Sequence, residues 1–146
     1  MELQDDSITL EDLKVLKDLG KGMFGCVYLC AHKSKSTMYA LKSVSRAKIS
    51  AYRLEENIMQ EKDLLLRLDH PMIMRLVKTF KDADRLYLLT EYIHGIDLFD
   101  AIRDVNRVTD DMAMFYTGCL VLALEHLWER DIIHRDLKPE NVMVDR

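Results

Sequence analysis

Cysteine is scarce in this chain. The 146 residues contain three, Cys26, Cys30 and Cys119, with no C-x-x-C pair and no Cys/His cluster at zinc spacing. An odd and sparse set excludes a disulfide framework and is the pattern of free thiols in a reducing compartment, so a cytoplasmic location is expected. No apolar run approaches the roughly 20 residues that a membrane helix needs. The start, MELQDDSITLEDL, is acidic and polar, which is not a secretory signal. A basic excess is also lacking: the net charge of −4 argues against nucleic-acid binding through phosphates. There is no internal repeat, low-complexity tract or evident linker. What remains is 49% hydrophobic and 32% charged, the make-up of a globular domain, and long enough for one ordinary core.

Glycine is rare but concentrated. Gly20, Gly22 and Gly25 form a G-x-G-x-x-G in Gly20-Lys21-Gly22-Met23-Phe24-Gly25. A dinucleotide-binding fold requires a helix directly after such glycines. Here Cys26-Val27-Tyr28-Leu29-Cys30-Ala31 follows, β-prone and without helical spacing. A dinucleotide-dependent oxidoreductase is thereby disfavoured. The glycines join two strands, Val15 to Leu19 and Tyr28 to Ala31, in a hairpin. Missing Cβ atoms there let backbone N–H groups approach phosphates closely. A glycine-rich hairpin without a ligand is the alternative.

A polar turn over 33–37 leads to a third strand, Met38 to Val44. Its period of two puts Ala40 and Lys42 on one face. A lysine aimed inward needs an anion; an edge lysine reaching back to water does not. The next segment, Ala51 to Leu68, reads as one helix with Leu54, Ile58, Leu65 and Leu68 in a stripe. Glu61 falls on that stripe. A buried glutamate needs a partner, and breaking such a pair costs about 3–5 kcal/mol. Lys42 and Glu61 therefore explain each other, unless Glu61 lies at the margin of the stripe in water.

Pro71 ends the helix. Met74 to Phe80 and Arg85 to Glu91 read as strands joined at Asp82-Ala83-Asp84, and Thr90 to Gly95 leaves the sheet as an extended connector. Leu98 to Val105 reads as a short helix. Thr109-Asp110-Asp111 opens a long one that runs to about Glu129. Tyr116, Cys119, Leu120, Ala123, Leu124 and Leu127 give it one broad apolar stripe that expects a partner layer. Before the first strand, residues 1–8 read as a polar lead-in, and Thr9 to Lys14 as a short helical turn with Thr9 as its cap.

The densest chemistry lies in Ile132 to Val144, IIHRDLKPENVMV. Asp136, Lys138 and Asn141 fall within six positions. The flanking apolar runs read as two brief buried strands, with the polar middle as the loop between them. A carboxylate to orient a hydroxyl, a cation for phosphate oxygens and a neutral oxygen ligand for Mg²⁺ are thus brought together. This segment resembles the catalytic loop of protein kinases, and the glycine hairpin, Lys42 and Glu61 match that family in order and spacing. The stretches LKVLKDLGKGMFGCVYL, YALKSVSR, LDHPMIMRLVKTFKDADRLYLLTEYIHGIDLFD and ERDIIHRDLKPENVMVD are similar to the cyclic-nucleotide-regulated serine/threonine branch, and within it to the cGMP-dependent kinases of protists. His134 stands where many relatives in that branch have Tyr.

The resemblance implies an α+β, protein-kinase-like fold: an antiparallel small lobe with one major helix, then a truncated, mainly helical large lobe. It divides the chain into a polar lead-in (1–9), a small lobe (10–92), a hinge (93–97) and the first part of the large lobe (98–146). It implies ATP and Mg²⁺ as cofactors. Lys42, paired with Glu61, would hold the α/β-phosphates under Gly20, Gly22 and Gly25. Leu19, Val27, Ala40 and Met143 would sandwich the adenine, the backbone of Glu91 and Ile93 would meet its edge, and Thr90 would guard the pocket behind it. Asp136 would orient the attacking hydroxyl, Lys138 would neutralise the transferring group, and Asn141 would bind one Mg²⁺. Asp97 would contact the ribose of the nucleotide and, with Glu140, favour basic protein substrates, or else both would be solvated surface carboxylates. Cyclic-nucleotide-binding domains are expected upstream. The family's D-F-G and A-P-E segments would follow Val144, so little activity is expected of this chain alone, and the exposed stripe of the long helix would make it poorly soluble or only partly folded. A nucleotide-binding or scaffolding module without catalysis is the competing reading.

Overall fold

The computed structural model describes residues 7–105 and 107–145, in two compact units. One comprises residues 7–69 with Met74–Tyr92, the other His70–Ile73 with the described residues from Ile93 onward. Most of the expected lead-in, residues 1–6, lies outside the described residues.

The first unit is built on a five-stranded sheet in the order β1-β2-β3-β5-β4, with every neighbouring pair antiparallel. The strands are β1 (Leu13–Lys21), β2 (Gly25–His32), β3 (Met38–Ser45), β4 (Leu76–Lys81) and β5 (Arg85–Glu91). Cross-strand partners share a face, so Val27 opposite Lys42 and Ala40 opposite Thr90 place these four on one side. Cys30, Tyr39, Leu41 and Leu89 point to the other side and form the core with Val77. Ile8 and Leu13 close over that core, Ile8 with only 1% of its surface exposed. The lead-in expectation therefore fails at its end: Ile8 is core. A 3-10 turn at Leu10–Asp12 carries the chain into β1. Thr9 donates both its N–H (2.8 Å) and its hydroxyl (2.7 Å) to Asp12 Oδ2. These donors hold the Asp12 carboxyl below its usual range. Lys33 ties the segment down, its ammonium donating to the Glu11 carbonyl and its N–H to that of Asp12.

The helix expected over 51–68 is shorter, α2 (Glu55–Leu65), and a separate helix that was not anticipated, α1 (Arg46–Ala51), precedes it. Ser45 caps α1 by accepting from the Lys48 N–H. Arg53 adopts φ 55°, its N–H bonds the Ser50 carbonyl, and the Leu54 N–H reaches back to Ile49. This is a Schellman closure, with buried Ile49 and half-buried Leu54 as its apolar pair. The stripe residues of α2 are only half-buried, and Glu61 is exposed.

In the second unit a short ladder pairs β6 (Gly95–Asp97) with β7 (Met143–Asp145). The extended connector expected up to Gly95 thus leads into a strand. A Cβ on Gly95 would lie 1.7 Å from the Val144 carbonyl oxygen, so the two strands meet there only because the residue is glycine. α3 (Leu98–Asp104) and α4 (Asp110–Trp128) follow, α4 capped by Thr109 Oγ1 accepting from Met112 N–H.

The strand expected at Ile132-Ile133 is absent. Asp131 turns to φ 56°, and the Ile132 N–H bonds the Leu127 carbonyl, so Ile132 closes the end of α4 instead, while Ile133 is 78% exposed. Leu127 is buried and most of the expected α4 stripe half-buried, whereas Met114, Phe115, Val121, Leu122 and Trp128 outside the stripe are exposed.

Candidate active site

In the first unit the glycine-rich segment turns between β1 and β2, closed by Gly22 N–H to the Gly25 carbonyl at 2.8 Å. Gly25 opens β2 against β3, where a Cβ would stand 1.8 Å from the Ser43 carbonyl oxygen. Any side chain there would push the two backbones apart. Gly20 pairs with Val27 beside a β1 irregularity that turns Leu19 outward, leaving it 39% exposed. Val27, Ala40 and Lys42 share a face with Thr90. Thr90 is buried and its hydroxyl donates to the Ala40 carbonyl at 3.4 Å. Lys42 Nζ lies 3.0 Å from Glu61 Oε1 on α2. The pair forms, but it is not buried: the two side chains are 48% and 44% exposed. Glu91 ends β5 with its N–H donating to the Arg75 carbonyl and its carboxylate accepting from the Arg75 N–H.

In the second unit Asp136, Lys138 and Asn141 meet at hydrogen-bond distance. Lys138 Nζ is 3.1 Å from Asp136 Oδ2. The Asn141 amide nitrogen donates to the same Oδ2 at 3.0 Å and to the Asp136 backbone carbonyl at 2.7 Å. A 3-10 turn at Pro139–Asn141 brings Asn141 back toward Asp136. Arg135 supplies the bend with φ 67°, and the His134 ring accepts from the Asp136 N–H. The Lys138 and Asn141 donors hold the Asp136 carboxyl below its usual range.

Asp97 pairs with Met143 in the β6–β7 ladder, and its carboxylate caps α3 by accepting from the Asp100 N–H at 2.8 Å. That capping role was legible in the spacing of Asp97 to Leu98 but was not anticipated. Ile93 accepts from the Gly95 N–H through its carbonyl. Glu140 sits exposed in the 3-10 turn, and Met143 is 47% exposed.

Residues 13–146 match the family described as protein kinase domain. The chain belongs to the protein kinase family. It is 43% identical to the cGMP-dependent protein kinase of Toxoplasma gondii, over 99% of this chain and 15% of that protein. It is 41% identical to the cGMP-dependent protein kinase of Plasmodium berghei, over 100% of this chain and 17% of that protein. Identity to the Arabidopsis thaliana serine/threonine-protein kinase AtPK2/AtPK19 is 40%, over 94% of this chain and 29% of that protein. The chain thus spans less than a third of the length of each of these relatives. The α+β kinase architecture expected from the sequence is the one observed.

Kinases of this family use ATP and Mg²⁺, and the side chains present fit both. Asn141 spends its amide nitrogen on Asp136, which turns its carbonyl oxygen, the atom type Mg²⁺ prefers, away from that carboxylate. Lys42 carries a positive charge held in place by one carboxylate, and the Gly20 and Gly22 backbone, with open space where a Cβ would stand, suits close approach of phosphate oxygens. Among the described residues no helix is long and apolar enough to cross a membrane.

Proposed function

We propose that this chain carries the nucleotide-binding and catalytic-loop residues of a cytoplasmic serine/threonine kinase of the cGMP-dependent type. It would transfer the γ-phosphoryl group of ATP to protein hydroxyls flanked by basic residues. The observation that carries the reading is the Asp136–Lys138–Asn141 cluster, with one carboxylate oxygen shared by an ammonium and an amide. Bound Mg²⁺ and ATP supply the phosphoryl group and part of its charge neutralisation. The chain's own residues position and balance charge, which is most of what phosphoryl transfer asks of a protein.

Asp136 stays ionised at neutral pH because its two neighbours favour the charged form. A carboxylate held that low is a weak base. Its role is to orient the substrate hydroxyl and accept the proton late, once the oxygen has become acidic by bonding to phosphorus. Lys138 balances the negative charge that develops, Lys42 grips phosphate oxygens, and Asn141 offers its carbonyl to a metal. Thr90, Val27, Ala40 and Leu19 shape the base site within the first unit, with Glu91 at its edge. The Glu91 N–H is engaged with Arg75, so its contribution to the base edge would come from its carbonyl. Asp97 and Glu140 add negative charge for basic substrates, and cyclic-nucleotide-binding domains would regulate the whole protein. Three free thiols accord with a reducing cytoplasm.

The test has two arms. ATP with Mg²⁺ should raise the melting temperature of the 146-residue chain, and Lys42→Met should remove that rise. The full-length gene product should phosphorylate a basic serine peptide when cGMP is added, and Asp136→Asn should abolish transfer without altering the melt. Transfer that persists in Asp136→Asn overturns the reading.

A further inference from the structure

We propose that Lys48 and Tyr52, on and just after α1, are positioning residues for the glycine-rich turn and, through it, for the phosphates of a bound nucleotide. The second half of this statement rests on the nucleotide reading above. A turn that begins and ends in glycine is conformationally loose unless something outside it holds the tip. Here the tip is held at three points. The Lys48 ammonium donates to the Met23 carbonyl at 2.8 Å. The Phe24 and Tyr52 rings meet edge to face, centroids 5.6 Å apart and planes at 85°. The Ser45 N–H donates to the Phe24 carbonyl at 3.0 Å.

The geometry of α1 produces this bracket. Ser45 starts the helix where β3 ends, two residues beyond the Gly25–Ser43 close approach. One helical turn then sets Lys48 beside Met23. The Schellman closure at Arg53 turns the chain away directly after Tyr52, leaving that ring at the end of α1 under Phe24. Tyr52 is 58% exposed and Lys48 is exposed, so neither supports the core. Their contacts go to the turn, where the Met23 and Phe24 backbone must hold still if its N–H groups are to meet phosphate oxygens.

The experiment measures amide hydrogen exchange and the ATP dissociation constant in the 146-residue chain. Tyr52→Ala should speed exchange of the Gly22 and Ser45 amides about three- to tenfold, the size of an aromatic pair contact. The Leu88 and Leu89 amides of β5 should be unchanged. The ATP dissociation constant should rise by a similar factor, and Tyr52→Phe should restore both. Lys48→Met should act the same way, with rescue by Lys48→Arg.

Unchanged Gly22 and Ser45 exchange in Tyr52→Ala overturns the bracket. Faster exchange with unchanged ATP affinity overturns its role in nucleotide positioning. Weaker ATP binding by Lys48→Met at unchanged exchange assigns that lysine to direct charge attraction instead. If the unsubstituted chain binds no ATP, the nucleotide reading and the positioning role fall together, and exchange alone judges the bracket.

Discussion

Glu61→Gln removes the carboxylate that faces Lys42, and the structure sets how much stability should be lost. The two charged atoms are 3.0 Å apart, but the side chains are 48% and 44% exposed. Water therefore screens the pair. At about 4 Å in bulk water two unit charges gain only about 1 kcal/mol, and exposed pairs measured by double-mutant cycles return about 0.2–1 kcal/mol. A fully buried pair would have cost about 3–5 kcal/mol to break. The expected loss for Glu61→Gln is therefore below about 1 kcal/mol, shrinking further at 1 M salt. The assay has to report on the right unit. Trp128, the only tryptophan, lies in α4 of the second unit, so its fluorescence would miss the change. Native-state exchange at Leu88 and Leu89 in β5 reads the first unit directly. A cycle with Lys42→Met should give a coupling of the same small size. ATP affinity should fall by up to about fivefold, because a pair coupled by less than about 1 kcal/mol contributes no more than that to holding the lysine in one position for phosphate. A stability loss above 3 kcal/mol, or ATP affinity unaltered by Glu61→Gln, would refute the reasoning.

Gly25→Ala places a methyl 1.8 Å from the Ser43 carbonyl oxygen and should splay β2 from β3, seen as fast exchange of the Gly25 and Cys26 amides together with weakened ATP binding. Ile8→Ala, from 1% exposure, should cost about 2–5 kcal/mol in denaturant unfolding of the first unit. The Asp82 carboxylate accepts from Tyr87 OH and from the Asp84 and Arg85 N–H groups, which lowers its pKa in the folded state. Its stabilisation is therefore complete above the unfolded value of about 3.9 and lost as pH falls through the lower folded value, so Asp82→Asn should lose less stability than the parent between pH 5 and about 2. Thr90→Met should weaken ligands with a bulky group behind the adenine position, because Thr90 is buried beside Ala40; equal affinity for both proteins in calorimetry would remove that idea.

The sheet was legible because its strands alternate and because three glycines followed by β-prone residues have few other uses. The partnership of Lys42 with Glu61 was legible as well, since pairing accounted for both residues at once where an edge lysine and a marginal glutamate were the alternatives. Its exposure was not. Periodicity tells which face a side chain shares, not how far water reaches down that face. The break at Tyr52-Arg53 carries no Gly or Pro to announce it, and an arginine at φ 55° is a choice made by the Schellman hydrogen bonds around it. Ile132-Ile133 has strand composition, but its N–H was needed to finish α4. Asp136, Lys138 and Asn141 were readable as a set; that Asn141 turns its nitrogen to Asp136 and its oxygen elsewhere needed coordinates.

The seat of Ile8 separates two kinds of boundary. The family model matches from residue 13, yet the packed core reaches at least five residues earlier, to Ile8, which closes the same cluster as Cys30. A gene trimmed to the recognisable stretch would keep every motif described above and still remove Ile8 from the cluster that buries Cys30. Where a family model begins, a fold need not; for this chain the cut that respects the protein is drawn by packing.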